Sequence, residues 1–273
     1  MGIDPIEYTP WSEKKTVLGK RFLVMVKKIF RQNIKSKAIW AILIIGSILV
    51  HVFPILTAAL TPSEELTANT MRNYLSGDIF FLFTVLLATV ICSGLISQDL
   101  KDNSFVLYFS RPLKTETYLL GKMGGAFLTL LIYCFIPPML VGISVTATQT
   151  GNVYTGSLEV LAKTAVAGLL TSFVFLPFIL LLSSLTKRKA YAGIGAFMGI
   201  YALTLVSFFF DQFDPNWKLL SPSNLLHFTY DLIFGFGLPD NIDAGLYSAS
   251  MILLILLPLI LLFYRIRSKE VGG

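Results

Sequence analysis

Residue types able to make or break bonds are few in this chain, and they are spaced badly for it. Ser144, in Gly142-Ile143-Ser144, resembles a nucleophile in an apolar stretch, but no glycine follows closely. The only histidines, His51 and His227, lie elsewhere, so nucleophile, base and orienter are not assembled. Glu64-Glu65 offers the paired carboxylates of an intramembrane protease but lacks an arginine behind it and falls between apolar segments. Gly121-Lys122 lacks the earlier glycine and the following Ser or Thr of a phosphate-cradling loop, so this chain is not expected to hydrolyse ATP by itself. No His-Glu-x-x-His zinc helix occurs. His227 and Asp231 stand four residues apart, a spacing that reads as a surface pair on one helix face rather than a metal site. Cys92 and Cys134 fall inside apolar stretches at different depths, which argues against a disulfide. No catalytic, cofactor-binding or metal residue is therefore assigned, and a hydrolase built on Ser144 remains only a competing reading.

The informative polar chemistry is a single island, residues 98–122, between two long apolar segments. It mixes both signs of charge. Phe105, Val106, Tyr108 and Phe109 form a compact apolar knob, too short to span anything. Asp99, Lys101, Asp102 and Arg111 surround it, and Glu116 follows. An aromatic knob with a charged rim suits the grip of a soluble partner. The competing readings are an ordinary loop whose aromatics rest on lipid headgroups, and a non-transporting anchor that recruits a cytoplasmic protein.

The elements that must carry this island follow from composition. Of 273 residues, 55% are hydrophobic and only 14% charged, where a soluble domain carries about a quarter charged. The mean hydropathy of +0.72 indicates an all-α polytopic membrane protein. Spans are expected at 39–60, 78–97, 123–147, 160–185, 190–210 and 246–264, together a six-helix transmembrane domain over 39–264. Residues 1–38 and 265–273 are then tails, and 211–245 is a long outer loop. Its apolar run Asn224 to Gly237 suits a re-entrant or interfacial segment.

Nineteen of the 22 Lys and Arg residues fall on the side of the two tails and the 98–122 island. The other side keeps only Arg72, Lys163 and Lys218. Under the positive-inside rule, both termini and the island are cytoplasmic in a multi-pass cell-membrane protein. The net charge of +6 thus points to the lipid bilayer rather than to nucleic acid.

In residues 11–37, Leu18, Phe22, Met25 and Ile29 share one helical face and basic residues fill much of the rest. This is an amphipathic helix for an anionic headgroup region, or a plain basic anchor. Pro54, Pro137-Pro138, Pro177 and Pro258 invite kinks, and the adjacent pair predicts a third span made of two half-helices. Gly195-xxx-Gly199 permits close helix packing, either across a homodimer or within the chain. No expected span carries a mid-depth charge, which argues against ion-coupled transport.

The succession Ser110-Arg111-Pro112, Glu116 and Tyr118-Leu119-Leu120-Gly121-Lys122, behind the polar stretch Asp99 to Ser104, resembles the permease subunits of type-2 ABC transporters. Asn103 and Ser104 replace a Gly-Thr common in that family. Asn tolerates left-handed backbone and Ser caps helices well. The resemblance implies an ATP-driven transporter, with export the expected direction. It implies two permease subunits on two separately encoded ATP-binding cassette ATPase subunits. ATP and Mg would be bound by those partners, with no cofactor in this chain. The coupling helix would correspond to roughly Asp99–Phe109, and the amphipathic helix would lie beside the ATPase.

Overall fold

The computed structural model describes residues 18–60, 68–105, 114–147 and 154–271, and every regular element among them is helical. In chain order these are α1 (Leu18–Ile34), α2 (Lys37–Ser47), a π-helical turn (Ile48–Val52), α3 (Phe53–Leu60), α4 (Ala68–Leu75), α5 (Asp78–Lys101) and α6 (Thr115–Cys134). There follow α7 (Ile136–Ala147), α8 (Tyr154–Val174), α9 (Leu176–Leu185), α10 (Lys189–Phe210), a 3-10 turn (Pro215–Leu220), α11 (Pro222–Phe234) and α12 (Ala244–Val271). Six stretches among the described residues are long and apolar enough to cross a membrane: Lys37–Leu56, Asp78–Lys101, Thr115–Ser144, Leu158–Leu185, Lys189–Phe210 and Ala244–Ser268. The all-α, six-span class read from hydropathy is the one observed.

Helix α5 is the axis of the bundle. It is apolar on every side, the pattern of a helix with neighbours all round. Within its apolar window 67% of residues are buried, against 17% for α10 and for α12, which leave most of their surface open. α5 packs on α2, α6, α9 and α10. One polar contact pins it to α9. The Ser183 hydroxyl donates to Ser93 O at 2.8 Å and accepts from the Ile96 and Ser97 amides at 3.2 and 3.1 Å, so it is inserted into the α5 ladder.

Proline punctuates the spans. The third is broken at Phe135, between α6 and α7, as Pro137-Pro138 requires. Those two prolines withhold the donors that would bond the carbonyls of Tyr133 and Cys134. Gly168 of α8 lies directly on this break: a Cβ there would stand 2.6 Å from Cys134 O and 3.1 Å from Phe135 Cα. Pro177 sits in the first turn of α9, just past the end of α8 at Val174. The π-helical turn Ile48–Val52 immediately precedes Pro54, and Pro258 lies inside α12. Cys92 and Cys134 are buried and free.

Candidate functional site

Both described ends of the polar island are helical. α5 continues to Lys101, and α6 begins at Thr115, eight residues before the expected start of the third span. Asn103 takes φ 49°, the left-handed conformation that lets a chain leave a helix sharply, and Asn is among the few non-glycine residues that adopt it readily.

At the mouth of this turn three side chains converge. Lys122 Nζ lies 2.8 Å from Asp99 Oδ2 and donates to Leu95 O at 2.6 Å. The Tyr118 hydroxyl donates to the same carboxylate oxygen at 2.6 Å. Lys122 also stands 5.4 Å above the Tyr118 ring. Tyr118 and Lys122 share a face of α6 because they are four residues apart, and that face meets the last turns of α5. Lys122 is 7% exposed and Tyr118 fully buried. Two buried charges are tolerable here because each has further hydrogen-bonding partners. The result is a clasp joining the exit of α5 to the start of α6.

Phe105 is buried, its ring 5.5 Å from that of Tyr118. Its ring holds the start of the loop onto α6. Lys101, Asp102 and Glu116 are exposed, Glu116 in the first turn of α6 where a carboxylate suits the helix dipole. Tyr108, Phe109 and Arg111 lie outside the described residues. Of the expected set the structure therefore brings together Asp99 and Phe105. Tyr118 and Lys122 entered the sequence reading only as part of the family motif and not as site residues, and the signal for their joint role was their i, i+4 spacing on the helix after the loop.

Helix α1 is laid along α6 next to this clasp. Val26, Ile29 and Asn33 are buried, while Lys27, Lys28 and Arg31 are exposed. The seat is a run of glycines. A Cβ on Gly125 would come 2.6 Å from Ile29 Cβ, and one on Gly124 would come 3.0 Å from Val26 Cγ2. Asn33 Nδ2 donates to Thr129 Oγ1 at 3.0 Å, and that hydroxyl donates to Gly125 O at 2.9 Å. Leu23 and Val24, on other sides of α1, are about 60% exposed. At the foot of the bundle Arg265 Nε donates to Ser184 O at 2.9 Å, tying α12 to the end of α9.

The opposite end is organised by α4 and α11. Arg72 of α4 is hydrogen-bonded and ion-paired to Asp231 of α11 and stands 5.7 Å above the Phe236 ring. Asp231 is buried at 5% exposure, so the expected surface pair with His227 is replaced by a buried pair from a distant segment. The hydrogen bond from Arg72 to Asp231 raises the guanidinium pKa. Burial lowers the pKa of His227, partly offset by Asp78 and Asp231. Lys163 bonds Glu159 at 2.7 Å, a favourable i, i+4 order on a helix, and also reaches Phe234 O at 3.4 Å near the end of α11. The groups once weighed for hydrolysis are dispersed: Ser144 donates to Val141 O in its own helix, and His51 is bonded to Tyr74.

A family model described as ABC-2 family transporter protein matches residues 31–210. No curated protein matches the chain. The matched segment is 180 of 273 residues and runs from the end of α1 to the end of α10, enclosing the clasp. The chain belongs to the ABC-2 family.

Proposed function

We propose that this ABC-2 family chain is the membrane-spanning permease subunit of an ATP-driven exporter, worked by a separate ATP-binding cassette subunit through residues 98–122. ATP and Mg are bound in that partner and not in this chain. Two copies of the permease assemble, with Gly195 and Gly199 on a helix face suited to close packing, and both termini lie in the cytoplasm of a cell-membrane protein.

The observation that carries this reading is the Asp99–Lys122–Tyr118 clasp. A loop that merely links two spans needs no buried ion pair at its base. Here the two helices that flank the loop are fastened to each other at its base, one of them the axis of the bundle. A push on the loop is therefore delivered to α5 and α6 together, and to α1 through its glycine seat on α6. Rigid-body displacement of packed helices is a standard route for such a push. Exposed Lys101, Asp102 and Glu116 provide charges of both signs to meet the partner.

The test is affinity purification of the tagged chain from native membrane. A nucleotide-binding subunit should accompany it, and Asp102→Lys or Glu116→Lys should reduce that recovery while leaving insertion unchanged. Recovery without any such subunit, or recovery indifferent to both charge reversals, overturns the assignment.

A further inference from the structure

Helix α4 is fastened on two sides. Tyr74 is hydrogen-bonded to His51 of the first span, and Arg72 to Asp231 of α11. Met71 and Leu75 are its buried apolar residues. This short helix is therefore a strap from the first span to α11, and its polar fastening to α11 is the Arg72–Asp231 pair.

Beside that pair stands a third titratable group. His227 lies one turn before Asp231 on the same face of α11. It lines a gap with Leu75 of α4, Phe80 and Phe81 of α5 and Leu226. Its Nε2 is buried and has no hydrogen-bond partner. A neutral ring is tolerable there. An imidazolium would be a charge with no acceptor at Nε2 and hydrocarbon around it.

The surrounding charges decide the sign. Arg72 opposes a second cation at this place, while Asp78 at the start of α5 and Asp231 favour one. From the other elements packed on α11, α8 brings Lys163 and Glu159, which bond each other. The 3-10 turn brings Lys218, and α10 brings Tyr201 and Asp211. α12 brings Tyr247, whose hydroxyl is shared with Thr229. Burial outweighs the two carboxylates, so the closed arrangement favours the neutral ring.

We propose that the Arg72–Asp231 pair is a latch released by acid, with His227 as its trigger. A proton taken from solvent turns the His227 ring into a cation. That cation is repelled by Arg72, competes with it for the Asp231 carboxylate, and leaves the apolar gap for water. α11 then parts from α4, which stays with the first span through Tyr74. The end of the bundle opposite the clasp loosens, in response to the pH on that side of the membrane.

Once α11 has parted, the ring is solvated and titrates near its ordinary 6.5. Between pH 7.5 and pH 5.5 the open-to-closed ratio then rises by up to about tenfold, the limit reached when the closed ring stays neutral throughout.

The test uses the full-length chain in phosphatidylcholine nanodiscs with nitroxide labels on Asn69→Cys of α4 and Leu232→Cys of α11, both exposed sites. Pulsed electron resonance gives their separation. Cys92 and Cys134 are buried, and the chain without added cysteines supplies the background. One short distance should dominate at pH 7.5, and the ratio of long to short should rise up to about tenfold at pH 5.5. His227→Gln should hold that ratio constant. Asp231→Asn should show the long distance at both pH values. A second pair at the other end, Lys101→Cys with Glu116→Cys, should not respond.

A ratio unchanged between the two pH values overturns the proposal. So does a response that survives in His227→Gln, or one shared by the second pair, which would be general loosening. The readout needs neither nucleotide nor a partner subunit, so loss of the transport reading would leave this result standing, and the reverse.

Discussion

Lys122 closes on Asp99 at 2.8 Å across the turn where the chain leaves α5 and returns as α6. Both side chains are nearly buried, at 9% and 13% exposure, and Tyr118 bonds the same carboxylate. Lys122→Met should therefore leave a buried carboxylate with one hydroxyl in place of a charge partner. The expected loss is about 3–5 kcal/mol, the usual result of removing one member of a buried pair. Thermal unfolding of the detergent-solubilised chain measures it. Adding Asp99→Asn to Lys122→Met should recover part of the loss, and a double variant less stable than the single one would deny the pairing.

Gly125 is the point of the α1 seat that meets a β-branched carbon rather than the end of a flexible side chain. Gly125→Leu must displace Ile29, whose Cβ would lie 2.6 Å from the new Cβ. The cost is about 1–3 kcal/mol of overpacking, and α1 is the element free to yield. Limited proteolysis should then cut within residues 22–34 faster than in the unmodified chain. Gly195→Leu is the contrast: nothing lies within 4 Å of its Cβ, so unfolding should shift by no more than about 0.5 kcal/mol. If Gly195 lies in a contact between two copies, that same variant lowers the dimer fraction in analytical ultracentrifugation.

Arg72→Ala leaves Asp231 buried without its cation. Arg72 is one-third exposed and water can reach part of the gap, so about 1–3 kcal/mol is expected rather than more. Asp231→Asn in addition should return most of it. Hydrogen exchange over α11 reads the effect locally, and unchanged exchange would mean the pair does not hold α4 to α11.

Burial lowers the His227 pKa below its ordinary value of 6.5. The fold accordingly favours the neutral ring. Above pH 6.5 neither folded nor unfolded chain binds this proton, and stability from this group is flat. As the pH falls below 6.5 the unfolded chain takes up the proton first, and stability declines until the folded value is passed. Unfolding temperature measured between pH 8 and pH 5 should show that decline, and His227→Gln should make it shallower. An identical decline in the variant would place its origin elsewhere.

The helical class and the six spans were legible because hydrocarbon thickness imposes a length, and proline imposes a break, at the level of single residues. Pro137-Pro138 announced the interruption at Phe135, and Asn103 the left-handed exit from α5. Side-chain pairings between segments carried no such signal. Asp231 had His227 at helical spacing, yet its partner is Arg72, which sits 159 positions away. Phe105 looked like a knob because its neighbours are aromatic, and nothing local said that Tyr118 would cover it. The docking of α1 was half visible. Its apolar face was periodic, but the glycines that receive it stand on α6.

The interruption at Phe135 also divides the third span mechanically. Below it, α6 is welded to α5 by the Lys122 ion pair and to α1 by close glycine contact. Above it, α7 leans on α8. The two carbonyls at the joint already lack helical donors, so bending there strains fewer backbone bonds than elsewhere in the span, and the far half that tilts does so over the bare backbone at Gly168.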